Sequence, residues 1–214
     1  MAPKVASALT KADATARKVA QQYMLMAAAY GSRGDSEQAM KQLGKAVKKA
    51  PLFADPYLLR GHLHRQAGDL AAAGRDYLDC FRRLDAPNAT VEALLEELAV
   101  DLAGAGMFDD AVRLLQTLSP VAPPLSRPAA LAYAIALCGM RRHEEALAVL
   151  DQMHPEQQQS SSLLPPPADV RQLYISIYEA IGAMGKAEQL LLGAIGLGDN
   201  SISWKDIGER AAAM

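Results

Sequence analysis

Residues 30–51, YGSRGDSEQAMKQLGKAVKKAP, and residues 64–87, HRQAGDLAAAGRDYLDCFRRLDAP, follow one local plan. Each closes a helix, turns through a Gly and opens a second helix that carries a small residue at a fixed place. Aligned on that residue, the chain places Ala39, Ala73, Ala111, Ala146 and Ala187 in one slot, with spacings of 34, 38, 35 and 41 residues. A period of this size marks a helical repeat array, in which one hairpin cannot bury its apolar stripe alone and neighbours must stack. Composition agrees. Half of the 214 residues are hydrophobic and only 5% aromatic, and segments such as LAAAGRD and ALAYAIAL favour packed helices over sheets.

Around the shared Ala, the copies repeat a fuller set of positions. The first offers Tyr23, Met26, Ala27, Tyr30, Gly34, Ala39, Leu43, Ala46 and Pro51, and the second Tyr57, Gly61, Gly68, Ala73, Tyr77, Cys80 and a later Pro87. The third has Leu95, Leu98, Ala99, Leu102, Gly106, Ala111, Leu115 and Pro123. The fourth has Tyr133, Ala134, Leu137, Ala146 and Leu150, and the fifth Tyr174, Tyr178, Gly182, Ala187, Leu191 and Ala194. This series resembles the tetratricopeptide repeat family, whose pattern runs aromatic, Leu, small residue, Tyr, Gly turn, Ala, aromatic, Ala, Pro; the first spacing matches its period. The departures are Arg60 and His64 in the second copy, where Leu and Tyr are expected, and Arg141 in the fourth, where the turn Gly is expected.

The resemblance implies an all-α fold, a right-handed superhelical solenoid of antiparallel helix hairpins. Repeats are expected near residues 20–53, 54–87, 88–126, 127–154 and 168–200. Residues 1–19 form a basic helix or a flexible extension ahead of the array, and the Pro-, Gln- and Ser-rich stretch 155–167 reads as a surface loop. The tail 201–214, with Ile202 and Trp204 set against Lys205, Glu209 and Arg210, has the two-faced character of a capping helix.

No pattern for catalysis stands out. The chain lacks a glycine-rich phosphate loop, a nucleophile elbow, an HExxH pair and a CxxC pair. His62 and His64 lie two apart on a helix, about 200° around its axis, which makes them poor joint metal ligands. Asp109 with Asp110 and Glu144 with Glu145 open second helices, where negative charge complements the helix dipole. The expectation is therefore a non-enzyme without cofactor or metal.

Cys80 and Cys138, 58 residues apart in helical patterns, read as reduced thiols. The first twenty residues lack the apolar core of a secretory leader, and no stretch approaches a membrane span, so the reading is a cytoplasmic protein without membrane insertion. Net charge is −2, but residues 1–50 hold nine Lys/Arg against three Asp/Glu, while the remainder holds thirteen against twenty-one. Lys41, Lys45, Lys48 and Lys49 come without aromatic interleaving or a binding motif, which argues against nucleic acid as the partner. Solvated helix faces account for the asymmetry, or a basic amino end meets an acidic surface.

In arrays of the resembled family, the first helices line a concave surface, and residues one place beyond the core slots face solvent. Here that register selects Gln21, Met24, Ala28, Leu58, His62, Arg65, Glu96, Val100, Leu131, Ile135, Cys138, Gln172, Ser176 and Glu179 as a peptide-binding groove. Its middle is largely apolar, which suits an extended peptide or an amphipathic helix. Relatives that grip a chaperone's terminal carboxylate carry Lys, Asn and Arg where this chain has Met24, Ala28, Leu59, Ala93 and Glu97, so that clamp is absent. The expected role is a protein-interaction scaffold; a cytoplasmic chaperone of a secreted subunit, similar to bacterial tetratricopeptide chaperones of type III secretion, and a regulatory adaptor are the alternatives. Homo-oligomerisation stays open.

Overall fold

The computed structural model describes residues 2–84, 86, 88–118, 125–153 and 167–196, and among these every regular element is an α-helix. The ten helices are α1 (Ala2–Gly31), α2 (Ser36–Lys49), α3 (Asp55–Gln66), α4 (Leu70–Phe81), α5 (Ala89–Gly104), α6 (Phe108–Leu118), α7 (Arg127–Gly139), α8 (His143–Met153), α9 (Ala168–Ala180) and α10 (Met184–Gly196). The amino-terminal stretch is thus helical and continuous with the first helix. Of the loop expected at 155–167 only Pro167, the N-cap of α9, is among the described residues, and the expected cap at 201–214 lies outside them. Contacts divide the chain into two compact units. The first holds the chain through Asp101 and α6 from Leu114; the second holds Leu102–Arg113 and the elements from α7 onward.

One turn is built five times. Gly34, Gly68, Gly106, Arg141 and Gly182 all adopt positive φ, between 60° and 79°, and each precedes its tight Ala by five residues. In every case the turn residue's N–H reaches the carbonyl three back, and the next N–H reaches the carbonyl five back, as in Asp35 to Tyr30, Asp69 to His64, Met107 to Leu102, Arg142 to Leu137 and Ala183 to Tyr178, at 2.8–3.0 Å. This left-handed helix stop satisfies the orphan carbonyls and folds the chain back on itself. In the first two hairpins the same turn starts the next helix, because Asp35 and Asp69 accept from the N–H groups of Gln38 and Ala72, a cap worth about 1 kcal/mol each. Arg141 shows that the fourth copy keeps the turn without the Gly, at the cost of a crowded Cβ.

In the first and last hairpins the tight Ala packs the second helix on the first. Ala39, Ala73, Ala111, Ala146 and Ala187 are all buried. In the first unit, Ala27, Ala39 and Leu43 form one core cluster, and Ala20, Ala46 and Ala50 another; Met24 packs against both. Gly61 of α3 lies under the Tyr77 ring, so close that a Cβ there would stand 2.5 Å from Cδ1. In the second unit Gly139 of α7 plays the same part for Phe108, whose ring a Cβ there would overlap. Ile175, Ala187 and Leu191 close the α9–α10 hairpin.

The two substituted positions of the second copy find partners. Arg60 donates from Nε and Nη2 to Oδ2 and Oδ1 of Asp76 at 2.7 and 2.5 Å, and Asp76 is only 4% exposed. His64 approaches Asp76 at 3.7 Å and Asp69 at 3.8 Å. A buried carboxylate is costly unless paired and hydrogen-bonded. This hairpin therefore replaces an apolar contact with an ion pair between α3 and α4.

Candidate protein-interaction surface

The residues expected to line a groove fall into two stretches, one in each unit. In the first unit, Arg65 of α3 joins α5 directly: Nε donates to Oδ2 of Asp101 at 2.8 Å and Nη1 to Oε2 of Glu97 at 3.0 Å. The two carboxylates sit four apart on α5, on one helix face. Leu58 and His62 share the helix face of Arg65 by their spacing of four and three residues. Leu58 and His62 are half-buried, while Val100 is 38% exposed. The His62 ring shares a 2.9 Å hydrogen bond through Nδ1 with the Tyr77 hydroxyl and stacks edge-on to its ring. Burial, then the nearby Arg65, holds the His62 pKa below its ordinary value, so the ring is neutral at neutral pH. Glu96 is half-buried on α5.

On α1 the expected residues separate. Gln21 and Ala28 are exposed, but Met24 packs into both core clusters and Met26, assigned to the core by pattern, is 49% exposed. The two methionines exchange roles. Met24 lies four residues from Ala20, directly on the buried stripe, whereas Met26 lies about 200° from Met24 around the axis.

In the second unit Ile135 of α7 is 45% exposed, with Leu131 and Cys138 half-buried one turn to either side. Helix α9, which packs against α7 and α8, carries Gln172 and Ser176 exposed and Glu179 half-buried. The Ser176 hydroxyl donates back to the Leu173 carbonyl at 2.9 Å. Large apolar residues that the pattern reading did not select also stand exposed: Leu25, Leu52, Leu59, Ile181 and Leu192. Nothing in the repeat positions marks them, because exposure depends on which helix covers a slot.

The two thiols sit in settings that disfavour the thiolate. Both cysteines are free; burial pushes the Cys80 thiol up to about 11 and raises that of Cys138 as well. At neutral pH both are thiols rather than nucleophilic thiolates. Among the described residues there is no group of three His, Cys, Asp or Glu side chains placed to hold a metal ion, and no helix long and apolar enough to cross a membrane.

Five hairpins joined by one turn, each with a buried Ala five residues beyond it, can be compared directly with solved structures. YrrB, a protein described as having an unusual peptide-binding site, aligns at TM-score 0.52 and 18% identity over 83% of this chain and 86% of its own. The chain has a tetratricopeptide-repeat fold. A tetratricopeptide repeat protein from Parabacteroides merdae ATCC 43184 aligns at 0.52 and 16% identity, over 86% and 68% of the two chains. MamA of AMB-1 aligns at 0.55 and 17% identity, over 87% and 94%. No protein-family model and no curated protein sequence matches the chain.

Proposed function

We propose that this protein is a non-enzymatic interaction scaffold that takes an apolar peptide or amphipathic helix on the outward face of its first helices. The carrying observation is the exposure of Val100 on α5 and Ile135 on α7, large apolar residues at the register positions that face away from the hairpin cores. Each unit offers its own stretch. In the first, Val100 shares α5 with the Glu97 and Asp101 carboxylates paired to Arg65; in the second, Ile135 lies between Leu131 and Cys138. Exposed apolar residues of this size, flanked by polar and charged groups, suit contact with other apolar surface. The resemblance in fold to YrrB, which carries a peptide-binding site, supports the same use.

The test compares Ile135→Glu on α7 with Ala148→Glu on the exposed side of α8, using a partner recovered by affinity capture from the native host. Ile135→Glu is expected to weaken binding by more than about 1 kcal/mol, the mark of an energetically important contact, with helicity unchanged. Equal affinities for the two variants would move the site off the first helices.

A further inference from the structure

The outward face of α1 exposes large apolar residues of its own, apart from those on α5 and α7. The repeat register shows what is missing there. Thirteen residues before the tight Ala, the third copy has Leu98 and the fifth has Tyr174, and both are buried against the second helix of the preceding hairpin. Leu98 sits beside Gly74 of α4, where a Cβ would stand 3.6 Å from Leu98 Cδ2, and the Tyr174 hydroxyl donates to Asp151 of α8 at 2.9 Å. The same slot in the first copy is Met26, 49% exposed, and its neighbour Leu25 is 71% exposed. Among the described residues no helix is seated over either.

Charge selects the occupant. The exposed surface of α1 and its turn carries Arg17, Lys18 and Arg33, and no carboxylate occurs between Asp13 and Asp35. Beside it on α2, Lys45 lies 5.9 Å over the Tyr23 ring. Of the acids that flank this stretch, Asp35 caps α2 and Glu37 pairs with Lys41 at 2.7 Å, while Asp13 stands one turn before Arg17, at the far end from Leu25 and Met26. Lys18 and Arg33 stand about 20 Å apart along the helix axis, with Leu25 and Met26 between them. A second copy docking through the same face would set these cations against each other. A membrane surface is also disfavoured, since the rest of the stripe is Gln22, Ala28 and Ala29 rather than bulky apolar residues.

We propose that the α1 face binds an acidic amphipathic helix from a partner protein, which occupies the place that the preceding second helix fills for α5 and α9. Its apolar stripe would cover Leu25 and Met26, and its carboxylates would meet Lys18 and Arg33 about three to four turns apart.

The test titrates the full chain, by fluorescence anisotropy, with a labelled 18-residue helical peptide bearing Leu on one face and Glu on the other, and with the same peptide carrying Lys for Glu. The acidic peptide should bind at least about tenfold more tightly at low salt. Leu25→Gln and Met26→Gln should each weaken it at least about fivefold, and Lys18→Glu with Arg33→Glu should reverse the charge preference. Circular dichroism should show all variants folded, as suits exposed positions. Equal affinity for the two peptides, or binding that responds to Ile135→Glu but not to Met26→Gln, would overturn the proposal. So would Leu25-dependent sedimentation with phosphatidylglycerol vesicles in place of peptide discrimination, or a dimer by ultracentrifugation that Met26→Gln disperses.

Discussion

Replacing Arg60 with Leu restores the repeat pattern at that position, yet it should destabilise the protein. Asp76, which Arg60 holds through two charge-assisted hydrogen bonds of 2.7 and 2.5 Å, is 4% exposed and cannot recover water when its partner leaves. Breaking a buried pair from one side costs about 3–5 kcal/mol, and His64 at 3.7 Å offsets a part of that, so Arg60→Leu should cost about 3 kcal/mol. The opposite variant, Asp76→Ala, is milder. A quarter of the Arg60 side chain remains in solvent, and the guanidinium can extend outward, which brings the expected cost to about 2 kcal/mol. Combining both changes removes the unpaired charge altogether. The double variant should lie within about 1 kcal/mol of the original protein, a coupling energy well above the few tenths seen for independent sites. Urea unfolding followed by circular dichroism measures all four proteins. Additive losses, with coupling under about 0.5 kcal/mol, would refute the view that these two residues substitute for the apolar contact of the pattern.

Other consequences follow from the turns, the tight slots and the thiols. Arg141→Gly should raise stability by about 1 kcal/mol, because it removes the Cβ from a left-handed position; an unchanged thermal midpoint would show that the turn is not strained. Ala73→Leu should cost about 1–3 kcal/mol by overpacking a fully buried contact, seen as a lower unfolding midpoint in urea. Gly139→Ala should cost a similar amount, since the Phe108 ring must shift to admit the methyl group, and calorimetry would register it. In a Cys138→Ser variant, Cys80, buried and with its thiol pKa raised to about 11, should resist a thiol-specific chromogenic reagent at pH 8 until denaturant is added; prompt labelling of that native variant would contradict the packing of α4.

The fold was legible because it rests on small residues whose spacing survives in the sequence. Each buried Ala stands five residues beyond a residue of positive φ, and that pairing is local. The Arg141 turn was less visible, since the backbone geometry persists where the Gly does not. Arg60 and His64 looked like breaks in the pattern only because their compensating partner, Asp76, lies 16 residues from Arg60 on the other helix. The binding surface was harder still. Periodicity says which residues share a helix face, but not whether another helix covers that face. Met26 and Leu98 occupy the same register position, and one is half-exposed while the other is buried beside Gly74. For the same reason Arg65 could be placed on an outward face, whereas its pairing with Glu97 and Asp101 depends on two helices 32 to 36 residues apart coming together.

Site-specific cross-linking tests the proposed use of the first helices most directly. A photoreactive phenylalanine analogue placed at Val100 of α5 or Ile135 of α7 should capture the partner from the native host, and the same analogue at the exposed Ala148 of α8 should not. Capture at Ala148 with none at Val100 and Ile135 would contradict the account and place binding on the second helices.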